Sequence, residues 1–293
     1  MTLPARDTRV TYPDGALTTT SAVLHVEQLG GGHLAVITET TSFHPVDAAW
    51  PDQPADAGVL RVRGETVTIR DAVVAATDGT ALFLGGDISV RKGTEGWAFL
   101  VAHLVDDDAV IAEGDEIGIE ADASARAALS VGHTACHVAS LALNRALAAN
   151  WSKPARDDAL GSPDFDGTAI ATSRIEPNGS TDAYRLNKSL RRAGFDTSAL
   201  ARDALDALST SVEATLADWA AAGAAVRIER DGDGLTDRRY WVCELPGGTA
   251  RIPCGGTHVH ALADLGGVQV AFELDDDAGT PVLRMRTTAH PHR

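Results

Sequence analysis

The apolar period of the chain changes once, near residue 122, and that change constrains the fold more than any other feature. Before it, the stretches "AVLHVEQL", "HLAVITET", "GVLRVRG", "ETVTIRDAVV" and "GWAFLVAHL" alternate apolar and polar residues. Side chains of a strand point alternately to its two faces, so a period of two predicts strands with one buried face. The turns between them are "PDG", "GGG", "TDGT" and "GTEG", rich in the residues that bend a backbone cheaply. Short strands at this spacing predict a β-barrel-like or sandwich domain over 1–121, with strands scattered through an α+β domain as the alternative.

After residue 122 the period is helical. "DASARAALSVGHTACHVASLALNRALAAN" carries Ala, Leu and Val at helix spacing from near Asp122. "ARDDALGSPDFDGTA" reads as a loop. "TDAYRLNKSLRRAG" and "TSALARDALDALSTSVEATLADWAAAG" read as two helices, the second capped by Thr197 or Ser198 and stopped at Gly223. "AAVRIERD", "RYWVCEL", "GGVQVAFEL" and "PVLRMRTTA" read as strands. Residues 122–293 are therefore expected to be α+β, helices first and strands last. The acidic runs at 106–108 and 275–277 are assigned to solvated turns.

Composition excludes several classes. A chain of 293 residues with 44% hydrophobic and 23% charged residues can bury a real core. "MTLPARDTRV" has no apolar run behind its charges, and no stretch is long and apolar enough to span a bilayer, so neither a signal peptide nor a membrane partner is expected. Three cysteines, Cys136, Cys243 and Cys254, suit a reducing cytoplasm better than a disulfide scaffold. A net charge of −16 argues against non-specific nucleic-acid binding, though a local basic patch can still meet phosphates.

The chemistry lies in two spaced pairs, "VGHTACHVAS" and "IPCGGTHVHA". His133 and His137 stand four apart, one above the other on a helix face. Cys254 and His258 repeat the spacing across Gly255 and Gly256, which let a turn bend there. Together they make a His₃Cys set, which suits a tetrahedral zinc ion. Cys136, three residues after His133, could also reach the ion but points about 100° away from His137, and His260 falls on the other side of a strand from the site. His290 and His292 sit in a tail expected to be disordered.

"GHTACHVASLAL" and "PCGGTHVHALADLGG" resemble the paired motifs of the editing domain shared by alanyl- and threonyl-tRNA synthetases, also found free-standing in AlaX-type trans-editing proteins. The resemblance covers 122 to about 286 most strongly. It implies a β-barrel-like N-terminal domain followed by an α+β editing domain, with helices packed on an antiparallel sheet. It also implies one Zn²⁺ on His133, His137, Cys254 and His258, the same four residues being catalytic. The implied reaction is hydrolysis of the ester of a mischarged tRNA: Ser or Gly on tRNA-Ala, or Ser or a threonine analogue such as fluorothreonine on tRNA-Thr. Substrate contacts are expected at Thr134, Trp50, Gln53, Gly255, Gly256 and Thr257.

Towards the N-terminus, "FHPVDAAWPDQPADAG" resembles the family's pattern at Phe43, Pro45, Gln53, Pro54, Asp56 and Gly58. Where the family has a glycine run, this chain has the bulkier "VDAAWPD", and Arg126 is the basic residue nearest to the first motif. The one cationic cluster, "YRLNKSLRRAGF", places Arg185, Lys188 and Arg192 on one face of the expected helix, with Arg191 beside them; it is the candidate tRNA phosphate contact. The expected partner is the 3′ aminoacyl-adenosine end of a mischarged tRNA, not DNA. Two other readings stay open: a zinc hydrolase of small esters or amides that acts without tRNA, and a non-catalytic protein with a structural zinc.

Overall fold

The computed structural model describes residues 3–291. The chain forms two compact units: residues up to 126 with 230–239 and 255–257, and residues 127–229 with 240–254 and 258 onward. The first is built of strands, the second of helices and strands, and the whole is α+β.

The strands of the first unit are β1 (Arg9–Val10), β2 (Thr18–Leu29), β3 (His33–Thr38), β4 (Thr40–Thr41), β5 (Gly58–Val62), β6 (Glu65–Ile69), β7 (Asp71–Thr77), β8 (Leu82–Leu84), β9 (Ala98–Asp106) and β10 (Glu116–Ala121). Eight of them form one curled antiparallel sheet in the order β6-β5-β10-β2-β3-β9-β7-β8. The glycine turn works as expected: Gly31 and Gly32 have φ near +80°, and Leu29 pairs with His33 across it. The alternation holds in β2, β5 and β10, with Leu60, Ile117 and Ile119 in one core together with Val74 and Val101. Strands β3 and β9 are instead buried on both faces, with Ala35, Ile37, Leu100 and Ala102 of their other face in a second cluster, so the one-faced burial expected there is corrected. β1 and β4 make a short parallel pair.

Within this unit the family-like residues have structural work. A side chain on Gly58 would meet the Glu120 carbonyl and lie 2.7 Å from the Phe43 ring, so only glycine fits against buried Phe43. Asp56 accepts from the His44 backbone N–H and from Arg126, whose Nε lies 2.7 Å from Oδ1. Arg126 also donates to the Ser42 carbonyl at 2.7 Å. Arg126 therefore forms a buried, fully partnered pair with Asp56, the condition under which a charge tolerates burial.

The second unit is built on α1 (Ala123–Ala146), whose first residues belong to the first unit. Asp122 caps it, accepting from the Ser124 and Ala125 N–H groups. Then come α2 (Phe165–Ala169), β11 (Ile170–Glu176), β12 (Gly179–Arg185), α3 (Lys188–Ala193), α4 (Leu205–Ala222), β13 (Val226–Arg230), β14 (Arg239–Leu245), β15 (Gly248–Pro253), β16 (Gly267–Asp277) and β17 (Thr280–His290). They form two sheets, β11-β12-β17-β16 and β13-β14-β15. The unit's core runs from Val131, Val138 and Leu143 of α1 through Phe165 and Tyr184 to Val212 and Trp219 of α4. Among the described residues no helix is long and apolar enough to cross a membrane.

Several expectations are corrected. "TDAYRLNKSLRRAG" is not one helix: 179–185 is a strand held between β11 and β17, and only Lys188–Ala193 is helical. Its inward positions Ser180 and Asp182 are polar yet buried, so the period of two does not appear as apolar alternation. β11 and β12 fall between the long helices, so the order is interleaved rather than helices first. Neither Thr197 nor Ser198 caps α4; Asp196 caps a 3₁₀ turn at Thr197–Leu200, and α4 starts at Leu205. Gly223 does end α4, at φ 62°. A short helix, α2, lies within the stretch assigned to a loop, capped by Asp164. The run 275–277 closes β16 rather than sitting in a turn. His290 is the last residue of β17 and contacts Gln269 at 3.2 Å; His292 lies outside the described residues.

Candidate metal centre

Helix α1 brings His133 and His137 to one face, one turn apart, with ring centroids 4.9 Å from each other. Gly132 lets the helix lie close to the β11–β12 hairpin: a side chain there would run into the Glu176 carbonyl and sit 2.5 Å from that of Gly179. The other pair comes from the end of β15, where Cys254 follows Pro253 and the chain returns at His258. The His258 ring lies 4.5 Å from that of His133 and 5.1 Å from that of His137. Cys254 Sγ is 3.4 Å from His133 Nε2 and 3.2 Å from His258 Nε2. One donor atom from each of the four residues lies within 4.8 Å of the others. Such a cluster can hold a metal ion.

The local chemistry fits that use. The Thr134 hydroxyl donates its one hydrogen to the Ser130 carbonyl at 2.9 Å and accepts from the Val259 N–H at 3.2 Å. Its remaining contact, 3.2 Å to His258 Nδ1, is then one in which it accepts. His258 carries its proton on Nδ1, and Nε2 offers a lone pair on the side of Cys254. Burial lowers the pKa of His137 to about 4, so that imidazole is neutral at physiological pH, as a ligand must be. His137 Nε2 is buried without a hydrogen-bond partner, which a buried polar atom rarely lacks unless something else binds it. Trp241, fully buried, packs its ring 5.2 Å from that of His137.

Cys136 stands apart from the four. Its Sγ is 3.6 Å from the Asp182 carboxylate, which also accepts from Ser173 and Ser180. Burial, reinforced by that carboxylate, pushes the Cys136 thiol well above its usual value, so it is a neutral thiol. The motif gives no sign of this buried polar cluster, because Asp182 and Ser180 look solvated until β12 is known to be an inner strand. His260 is exposed and lies in a loop rather than on a strand.

The remaining expected residues are dispersed. Gln53 is buried and grips Thr257 twice, Oε1 accepting from its N–H and Nε2 donating to its hydroxyl, both at 3.0 Å. Gly255 is exposed and Gly256 buried. Gly255 is not in the left-handed region, so it is open space, not backbone freedom, that a side chain there would remove. Trp50 is 50% exposed. Arg185, Lys188 and Arg192 do not share a helix face: Arg185 ends β12 and lies 3.5 Å from Asp277, whereas the others are on α3. Arg191 is tied to the Leu186 carbonyl at 2.9 Å.

No family model matches the chain. Among curated proteins it is similar to an alanine–tRNA ligase of Frankia alni, 28% identical over 250 residues. The match covers 85% of this chain and 24% of the ligase, so the chain spans about a quarter of that relative's length.

Proposed function

We propose that the chain is a trans-editing aminoacyl-tRNA deacylase, a hydrolase that cleaves the ester between a wrong amino acid and the 3′-terminal adenosine of a tRNA. The observation that carries this reading is the gathering of three imidazoles and one thiol within 4.8 Å, in a chain similar to part of an alanine–tRNA ligase. We assign the cluster to zinc, because the set is nitrogen and sulfur only. His133, His137, Cys254 and His258 would hold the ion, and it would polarise an ester carbonyl or lower the pKa of a water towards about 7 only if one of the four were displaced or a fifth position opened.

The chain's own residues supply the rest. Thr134 holds the proton of His258 on Nδ1, burial keeps His137 unprotonated, and Trp241 walls one side with apolar surface. Thr134, Gly255, Gly256 and Thr257 are the proposed substrate contacts. Gln53 acts by fixing Thr257, and exposed Trp50 offers a stacking face. Lys188, Arg191, Arg192 and Arg185 are the proposed phosphate contacts. The proposed layout remains a barrel-like part over 1–121 and an editing part over 122–293, in a cytoplasmic protein.

The test is release of the amino acid from tRNA-Ala and tRNA-Thr charged with Ser, Gly, Thr and threonine analogues. Turnover of at least one, lost in His133→Ala together with bound zinc, is the expected result. Hydrolysis of free esters with no release from any tRNA would overturn it in favour of a small-ester hydrolase. That second reading is favoured by the net charge of −16, which repels a polyanion.

A further inference from the structure

Two arginines of the first unit have buried side chains, and they are treated differently. Arg126 is paired with Asp56. Arg239 is 9% exposed, yet among the described residues no carboxylate lies within ion-pair distance of it. Its Nη2 donates to the Leu235 carbonyl at 2.9 Å and its Nη1 reaches the Gly234 carbonyl at 3.5 Å. Its Nε is buried with no hydrogen-bond partner. The guanidinium lies over the Tyr12 ring, 5.6 Å from its centre, and His44 packs edge-on to the same ring at 5.1 Å. His44 is no counter-ion, since burial, more than Arg239's charge, brings its pKa down to about 4. A guanidinium carries five donors, and a buried charge without an opposite charge is costly unless a ligand supplies one.

The niche beside it is open. A side chain built on Gly255 would meet, beyond its own chain neighbours, only Arg239 Nη2, at 3.9 Å. Gly255 is itself exposed and directly follows Cys254 in the chain. The missing side chain therefore leaves room against the guanidinium.

We infer that Arg239 is an anion-recognition residue that takes a nucleotide phosphate at the Gly255 niche, its source being the phosphodiester next to the terminal adenosine of an RNA 3′ end. The inference rests on the proposed deacylase reading for the source of the phosphate and on Arg239 alone for the chemistry. Guanidinium and phosphate match as charge-assisted, two-point hydrogen-bonding groups. In a chain of net charge −16, one such built cation does what the overall field cannot. No covalent step is involved; Arg239 positions the RNA end.

The experiment is calorimetric titration of the full chain with the dinucleotide CpA, with adenosine and with AMP. CpA should bind about tenfold or more tighter than adenosine, and that ratio should fall to about one in Arg239→Gln. Gly255→Ala, whose added carbon makes only van der Waals contact, should lower the ratio without lowering the melting temperature. It keeps the question decidable if Arg239→Gln fails to fold. A CpA-to-adenosine ratio within about twofold in the wild type overturns the inference, and so does an unchanged ratio in a folded Arg239→Gln protein. AMP binding about tenfold tighter than CpA overturns the RNA source and assigns the niche to a free nucleotide. Deacylation without phosphate preference removes this inference alone; phosphate preference without deacylation removes the deacylase reading alone.

Discussion

Thr134 shows how much of a candidate metal-binding set depends on a residue outside it. Its hydroxyl makes three hydrogen bonds, to Ser130, Val259 and His258, and the first two dictate the direction of the third. Thr134→Val keeps the shape and removes all three. We expect zinc affinity to fall about 10–100-fold, the range for residues that orient a ligand histidine. The orphaned Val259 N–H should cost about 1–3 kcal/mol of stability. Chelator competition reads the first and urea denaturation the second. Unchanged zinc affinity in a folded variant would mean that His258 is oriented by its other contacts.

At the scale of elements, α1 and the β11–β12 hairpin are set against each other through Gly132. In an exposed helix interior, Gly→Ala gains up to about 1 kcal/mol. Here the added carbon would lie 2.5 Å from the Gly179 carbonyl oxygen and 2.8 Å from its nitrogen, and backbone cannot step aside as a side-chain tip can. Gly132→Ala is therefore expected to destabilise by about 1–3 kcal/mol or more and, because His133 is the next residue, to weaken metal binding as well. Thermal melting with and without zinc measures both. A variant as stable as the wild type would show that α1 and the hairpin are packed less closely than this.

For the whole molecule, the buried titratable groups set the response to acid. Burial lowers His44 and His103 from 6.5 to about 4. His103 is also held by Thr41 at 2.9 Å and the Val36 carbonyl at 3.1 Å. Between pH 6.5 and about 4 the unfolded chain binds protons that these rings refuse, so their stability contribution, full above 6.5, is lost as pH falls. The gap is worth about 3 kcal/mol for each imidazole. Burial raises Asp182 from 3.8 to about 6. It acts in the opposite sense, favouring the fold as pH falls through 6, by about 3 kcal/mol at most. His137 shifts in the same direction as His44 and His103, and burial raises Asp52 and Asp166 in the same sense as Asp182. The three imidazoles, each lowered to about 4, are expected to outweigh the carboxyls, so urea midpoints should drop below pH 6.5, and His103→Gln should make that drop shallower. The same slope in both proteins would show that His103 protonates without disturbing the fold.

The four-residue cluster was legible in the sequence because spacing alone places it: a four-residue interval on a helix puts His133 and His137 on one face, and "CGGTH" repeats the interval in a turn. Strands β2, β5 and β10 and the end of α4 were legible for the same local reason, alternation in one case and Gly223 in the other. What local pattern does not carry is what lies opposite. Strand β12 reads as a helix because its inward residues are polar, and only β11, β17 and Cys136 packed around Asp182 make such a strand possible. The cationic face drawn through Arg185, Lys188 and Arg192 dissolves with that helix. The tautomer of His258, the space beside Gly255 and the unpaired charge of Arg239 are likewise relations between residues far apart in the chain. Periodicity reports which face of an element is buried; only the tertiary structure decides which donors, charges and backbone atoms meet there.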